Sequence, residues 1–567
     1  MVRGLRTGAA SAALAAALLA TGCGGGDGDD ATPTTQRATT YGAVAGVDQS
    51  ATSGTYAWLG VPFGAAPVGA LRWAPPAAPA AWQGVKETKA FGPSCAQGGR
   101  FYSPAPNNEP FGLNVREGFG KPVGDEDCLS LNIWRPAGDT AGLPVIVFLY
   151  GGSNISGYTA DPSYDGANLA RKANAVVVTV NYRVGLLGWF DLPQLKTGDP
   201  VADSGNFALL DQQQALRFVR DNIQAFGGDP ANVTVTGQSA GAVNVFALLL
   251  SPQSAGLMHK AVPMSGGISN ASRASAQAYA RGLLNALVIA DGKAADTASA
   301  TAYVATQTNA QIAAYLRGTT SSRILSVQLA NPQLGNSPAP IADGNVLPVN
   351  GLAAVTAGQY LKVPLMVGNT KDEGTLFANL APSFYPAINV RGFKPDDYTR
   401  FGLQYNFDGD APPSLTEADF INPPYLPVTA VPFGWTAVTK VIGDFIFITP
   451  LPPQLGAIKA QQPTQLWYYR WDWNEEPAPF DTVYGATHGL DVSFFFATFT
   501  GKSVASWAWS TANRPGREAL SDAMIGSLSA FARTGNPNHA GLGVTWPVWP
   551  ATLIFDATKT QKQISVQ

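Results

Sequence analysis

Histidine is scarce in this sequence: three stand among 567 residues. Chemistry that needs an imidazole therefore has few places to find one. Charge is thin as well. Asp, Glu, Lys and Arg make up 13% of the chain, about half the usual ~25%. No basic excess is present, because Lys+Arg 36 against Asp+Glu 39 leaves a net charge of −3. Nucleic-acid binding, which shows as a basic surplus, gains no support from that balance. Cysteine is nearly absent, at three residues. Internal repeats and a second composition class are missing too, so one large domain with insertions is the simplest organisation. What the chain does have is an ordinary apolar content of 46% and enough length to bury a large core.

The first residues read as a targeting segment. Arg3 and Arg6 form a basic start, Ala9 to Ala20 is a short apolar run, and Thr21-Gly22-Cys23 follows. The run is too short to cross a bilayer as a mature helix. A small residue before a cysteine at this place resembles a bacterial lipoprotein signal, with Ala20 where leucine is commoner. Residues 1–22 are then a signal peptide and Cys23 carries a lipid anchor; ordinary secretion with cleavage nearby is the alternative. Residues 23–40, rich in Gly, Asp, Pro and Thr, read as a flexible tether. With Cys23 lipidated, Cys95 and Cys128 remain as a pair that an oxidising compartment would bridge. Such a closure contributes ~3–4 kcal/mol in the chain-entropy model.

Beyond the tether, Tyr41 to Trp82 reads as short strands and proline-punctuated turns. From Leu143 the pattern changes. Pro144 to Tyr150 and Ala175 to Val180 are continuous apolar runs rich in β-branched residues, the mark of buried parallel strands. Phe207, Leu210, Leu216, Val219, Ile223 and Phe226 recur at helical spacing up to Gly227-Gly228. Val233 to Thr236 is a further strand, Ala240 to Leu250 a helix, and Lys260 to Met264 a strand. Ala274 to Arg317, rich in alanine, reads as helical. Val363 to Gly368 and Leu466 to Arg470 are strands, and Met524, Ile525, Leu528 and Phe531 mark a helix stopped by Gly535. Strand and helix alternate, which predicts an α/β fold with a mostly parallel sheet. Pro382 to Pro432 has no clean period and reads as irregular walls over a site.

The chemistry centres on Gly237-Gln238-Ser239-Ala240-Gly241, between a strand and a helix. That arrangement forces Ser239 onto a tight corner at the positive end of the helix. Its hydroxyl is a candidate nucleophile for acyl transfer. A serine nucleophile needs a base, and the base an orienting acid. His259 enters a strand and His539 sits in a polar turn near the C-terminus. His488, in a strand-end loop late in the chain, is the strongest candidate base. The acid is expected in the turn after Val367-Gly368, where Asp372 and Glu373 both qualify on pattern. Tyr150-Gly151-Gly152-Ser153 closes an early strand. The backbone N–H groups of Gly152, Ser153 and Ala240 can form an oxyanion hole there.

These residues bring the sequence close to a known family. From about Tyr41 to the C-terminus it resembles the type-B carboxylesterases, the cholinesterase-like branch of the α/β-hydrolases. Glu126-Asp127-Cys128-Leu129-Ser130-Leu131-Asn132, Asn181-Tyr182-Arg183-Val184-Gly185, Gly205-Asn206-Phe207, Phe226-Gly227-Gly228-Asp229-Pro230 and Gly535-Asn536-Pro537-Asn538 carry the resemblance. It implies an α/β-hydrolase domain over residues 41–567, with insertions over the site. Ser239 is then the nucleophile, Glu373 rather than Asp372 the acid, and His488 the base. The resemblance also implies a Cys95–Cys128 disulfide and an Arg72–Glu126 ion pair.

The expected activity is hydrolysis of small to medium carboxylic esters through an acyl-enzyme. No metal or organic cofactor is implied, and the membrane is met only through the N-terminal anchor of an exported protein. A lipase or amidase on the same triad, or a non-catalytic binding member of the fold, are the alternatives. Three departures from the family stand out. Gln238 replaces a glutamate, Ser153-Asn154 replaces glycine-phenylalanine, and no tryptophan lies between Cys95 and Cys128. The last makes a choline ester an unlikely preferred substrate, since that contact holds a quaternary ammonium.

Overall fold

The computed structural model describes residues 34–567. The signal segment 1–22 and Cys23 lie outside the described residues. The tether expected over 23–40 ends sooner than its composition suggests. Gln36–Thr39 is a strand that pairs antiparallel with Gly42–Ala45. Threonine, counted as loop-forming by composition, is β-branched and suits a strand once a partner is adjacent. Thr35 is buried beside it, and its carbonyl accepts the Trp58 indole N–H at 2.6 Å.

The scaffold is an 11-stranded sheet. Its strands in chain order are β1 (Val47–Gln49), β2 (Thr55–Pro62), β3 (Ser130–Pro136), β4 (Leu143–Leu149), β5 (Val176–Val180) and β6 (Gly228–Gln238). They continue with β7 (Lys260–Met264), β8 (Leu365–Thr370), β9 (Leu466–Trp471), β10 (Thr552–Ala557) and β11 (Lys562–Val566). The spatial order is β11-β10-β9-β8-β7-β6-β4-β5-β3-β2-β1. From β5 to β10 every neighbour pair is parallel, while both edges are antiparallel. Every residue of β4 and β5 is buried, as their unbroken apolar runs require.

Order along the sheet explains where a site can form. The chain runs from β4 to β5 on one side, then returns to lay β6 on the other side of β4. Connections therefore part at β4 and β6, which leaves a crevice at their C-terminal ends. The register pairs Gly237 with Leu149, so the turn after β6 and the turn after β4 emerge side by side. Gln238 pairs with Met264 and Met264 with Gly368, which brings the end of β8 level with them.

Three helices pack against the sheet: α1 (Phe207–Asn222), α2 (Ala240–Leu250) and α3 (Arg514–Thr534). Gly227 and Gly535 close α1's 3-10 extension and α3 in left-handed conformations, as their positions in the sequence predict. The alanine-rich stretch forms three helices, Arg273–Ala290, Thr297–Ala305 and Asn309–Gly318. Asp296 and Thr308 interrupt it as N-caps, each accepting a backbone N–H three residues on. Pro382 to Pro432 is irregular except for short helices, of which Asp397–Tyr405 is the longest. The Asp396 carboxylate caps that helix through Thr399 N–H at 2.7 Å. Cys95 and Cys128 form a disulfide. Beside it the Arg72 guanidinium donates twice to Glu126, both at 2.6 Å. Glu126 is thereby committed to structure.

Candidate active site

Ser239 stands between β6 and α2 with φ 58° and ψ −124°. Such a backbone costs about 1–3 kcal/mol for a non-glycine residue. The two glycines of the turn explain how it packs. A Cβ at Gly237 would lie 2.4 Å from the Gly241 carbonyl oxygen, and one at Gly241 2.1 Å from that of Leu149. Neither position has room for a side chain. Anchoring comes from the Ser239 N–H, which donates to the Met264 carbonyl at 2.8 Å.

The loop after β4 presses against this corner. A Cβ at Gly151 would sit 2.9 Å from Ser239 Cβ. Gly152, Ser153 and Asn154 all take positive φ, at 108°, 57° and 58°. Among the described residues no hydrogen bond takes the backbone N–H of Gly152 or Ser153. Ala240 opens α2, where an N–H has no intrahelical acceptor. Three uncommitted donors thus lie around the serine, at the positive end of a helix. Replacing glycine-phenylalanine by Ser153-Asn154 leaves the backbone donors intact. The Asn154 side chain instead pairs with Asn244 of α2.

Glu373 follows β8 and is 1% exposed. Its Oε1 accepts the Thr370 N–H and the Asn369 side-chain amide, each at 2.9 Å. Its Oε2 lies 2.5 Å from His488 Nδ1. Burial by itself pushes this carboxyl up. The His488 charge, with hydrogen bonds from His488 and Asn369, outweighs burial and holds it below the usual range. Asp372, its neighbour, never reaches the imidazole. It accepts the Ala486 N–H at 3.1 Å and donates its own N–H to the Ala486 carbonyl at 2.9 Å. The two acids that pattern alone left open therefore divide as the resemblance implied: Glu373 meets His488, and Asp372 fastens the loop that carries it.

His488 is buried between the rings of Phe377 and Phe447, at 5.1 and 4.6 Å. With Nδ1–H turned to the carboxylate, Nε2 carries the lone pair. The Gln238 side-chain amide lies 3.0 Å from that nitrogen. No hydrogen bond joins Ser239 Oγ to His488 among the described residues. The resemblance already implies that Gln238 keeps a hydrogen-bonding side chain near the catalytic histidine, and the contact forms where the β6 turn and the His488 loop meet. The other histidines have structural partners. His259 Nδ1 accepts the Val233 N–H at 3.1 Å, and His539 Nε2 faces the Ala523 carbonyl at 3.0 Å.

Sequence reasoning missed Asp491, which lies under the site with its Oδ2 3.0 Å from the Tyr469 hydroxyl. Burial, then the nearby Glu373 charge, pushes this carboxyl up to about 7. Ser239, Gly152, Ser153, Gln238 and His488 all face one cavity of about 470 Å³. Among the described residues no cluster of His, Cys, Asp and Glu could hold a metal ion.

A strained serine beside free backbone donors, with a carboxylate-bound histidine in the same cavity, is an arrangement for acyl transfer. A model of the carboxylesterase family matches residues 33–565. The chain belongs to the carboxylesterase family. It is 34% identical over 518 residues to the fumonisin B1 esterase of Sphingopyxis macrogoltabida, spanning 91% of this chain and 84% of that one. With the para-nitrobenzyl esterase of Bacillus subtilis it shares 31% identity, spanning 92% and 95%. Among solved structures, a thermophilic para-nitrobenzyl esterase aligns with a TM-score of 0.70 at 28% identity, covering 94% and 98%. A Geobacillus stearothermophilus carboxylesterase aligns with 0.69 at 29% identity, with the same coverage. This carboxylesterase has the α/β-hydrolase fold and is a hydrolase of carboxylic esters.

Proposed function

We propose that this carboxylesterase cleaves small to medium esters through an acyl-enzyme on Ser239. His488 Nε2 takes the Ser239 proton as Oγ attacks the ester carbonyl carbon. The N–H groups of Gly152, Ser153 and Ala240 hold the oxyanion of the tetrahedral intermediate. As that intermediate collapses, the C–O bond to the alcohol breaks and His488 passes its proton to the departing oxygen. Water then attacks the acyl-enzyme by the same route, releasing the acid and restoring Ser239. Glu373 holds the imidazole in the tautomer that leaves Nε2 free to accept a proton. The observation that carries this reading is the 2.5 Å contact of Glu373 with His488, in the cavity onto which the strained Ser239 opens.

Hydrolysis of p-nitrophenyl esters from acetyl to palmitoyl, by wild type and Ser239→Ala, tests it. Loss of activity in the variant supports Ser239 as nucleophile; retained turnover sinks it. One observation favours a second reading, that of a lipase. Leu380, Val431, Phe433, Val441 and Phe445 are all exposed, and Phe445 and Phe433 pack on neighbouring Phe384 and Tyr385. Leu380 also lines the cavity. A jump in rate on emulsified long-chain esters above their solubility limit would support this alternative.

Export with a lipid anchor on Cys23 is supported by the basic start, the short apolar run and Thr21-Gly22-Cys23, and fits the Cys95–Cys128 disulfide. Metabolic lipid labelling of wild type against Cys23→Ser tests it, and an unlabelled wild type would rule it out.

A further inference from the structure

The cavity that holds Ser239 and His488 is also lined by three arginines: Arg100, Arg391 and Arg400. A guanidinium stays charged at any working pH, so each brings a permanent positive charge to this wall. Where the fold uses such a group for structure, as at Arg72 and Arg183, a carboxylate meets it with two hydrogen bonds. The cavity arginines differ. Arg100 and Arg391 make no side-chain hydrogen bond and no ion pair among the described residues. Arg100 is open to solvent yet closely walled, and loss of water around it pushes its pKa down against the raising effect of Asp397. Arg400 is 6% exposed and lies over the rings of Phe101 and Phe393, at 4.7 and 4.1 Å. It gives one nitrogen to Asp397 at 2.9 Å, while its Nε is buried with no acceptor.

Two carboxylates, Asp161 and Asp397, face this space, and they do not balance the arginines. Asp397 is engaged by Arg400. Asp161 is buried and accepts the Ser163 N–H at 2.8 Å; burial raises its pKa, which favours the neutral form. Two guanidiniums are left facing the reaction centre's cavity with no carboxylate in ion-pair contact among the described residues. Both are exposed and hydrated, so leaving them unpaired costs the fold little, and each is free to meet an anion that arrives with the substrate. Guanidinium and carboxylate match in planar geometry and charge, and the pairing strengthens as water leaves.

We propose that the cavity selects esters that bear a free carboxylate, with Arg100 and Arg391 receiving that group while Ser239 attacks the ester. The inference rests on the reading of Ser239 as the nucleophile and deepens it to a substrate class. Half-esters of dicarboxylic acids carry the charge on the acyl side, and esters of hydroxy acids carry it on the alcohol side.

Matched pairs separate the two. Monoethyl glutarate against ethyl pentanoate probes the acyl side; butanoyloxyacetate against propyl butanoate probes the alcohol side. Proton release reports the rate for wild type and for Arg100→Gln/Arg391→Gln. In at least one pair the charged ester should give the higher kcat/KM, by about tenfold, as a charge-assisted contact allows. That preference should fade as KCl rises toward ~1 M. In the double variant the charged-to-neutral ratio should fall by about tenfold or more, mainly through KM. Hydrolysis of the neutral esters with no preference for charge in either pair, or a preference that survives the double substitution, would overturn the proposal alone. Failure of wild type on all four esters, with no fluorophosphonate adduct on Ser239, would instead remove the nucleophile reading and this inference with it.

Discussion

Two parts of the cavity are built on different terms. The platform at the strand ends is set by register: Gly237 beside Leu149, Gln238 beside Met264, Met264 beside Gly368. Its acid is fully engaged, Glu373 meeting Thr370, Asn369 and His488. The wall, drawn from residues 100–102, 376–404 and 446, is irregular backbone and short helices. Its polar groups are left over: Arg400 Nε and Gln404 Oε1 are buried without partners, and Arg100 and Arg391 are unpaired. Chemistry that must recur on every turnover needs atoms held in place, and a parallel sheet holds them. Selection needs groups free to meet a ligand, and loops over a rigid frame supply those. The contrast teaches that reaction type and substrate choice are written in separate parts of the chain.

Damage to the platform should be severe. Ser239→Ala is expected to lower kcat by about 10⁴-fold or more, measured on p-nitrophenyl butyrate. Glu373→Gln should lose about 10³–10⁴-fold, because an amide does not fix the imidazole tautomer. Asp372→Asn keeps an acceptor for Ala486 N–H and should stay within about threefold of wild type. If the two acid variants behaved alike, the division drawn between them would fail.

Finer changes sharpen the same contrast. Gln238→Glu puts a carboxylate where an amide now meets His488 Nε2, which favours the imidazolium. The rising limb of the pH–rate profile should move to higher pH. An unmoved limb would mean that the Gln238 contact does not bear on the base.

Asp491 gives a stability test. Its folded pKa, about 7, lies above its ordinary value of 3.8. Between those values the native state keeps a proton that the unfolded chain releases, so this group's contribution to stability falls as pH rises from about 4 to 7. Asp491→Asn, which keeps an acceptor for Tyr469, should flatten the decline of Tm between pH 5 and 8. A decline as steep as in wild type would argue against this titration. The smallest effect is expected on the wall. Phe445→Ser should leave acetyl and butyryl ester rates within about twofold, since an exposed side chain touches no reacting atom.

Much of the platform was legible in the sequence, for physical reasons. Unbroken apolar runs at 144–150 and 175–180 have no stable home except a buried sheet. The glycines around Ser239 admit few readings, because both positions lack room for a Cβ. His488 emerged because there were so few histidines to choose from. The acid did not emerge from pattern, since Asp372 and Glu373 share one turn; the family resemblance implied Glu373, and the geometry of loop 485–488 against β8 gives the physical reason. Gln36–Thr39 was hidden because a short strand is decided by its partner. The charged wall was hidden for a related reason. Arg100 and Arg400, at the extremes of the three, lie 300 residues apart, and nothing local marks them and Arg391 as neighbours. Insertions that wrap a site carry no period, so their packing cannot be read ahead of the fold.

The most direct test of the central claim is covalent. A fluorophosphonate probe should add once to the wild-type protein, and peptide mapping should find the adduct on Ser239. Labelling should fall steeply in Glu373→Gln and hold in Asp372→Asn. An adduct on another residue, or ester hydrolysis by a protein that Ser239 labelling leaves fully active, would contradict the account.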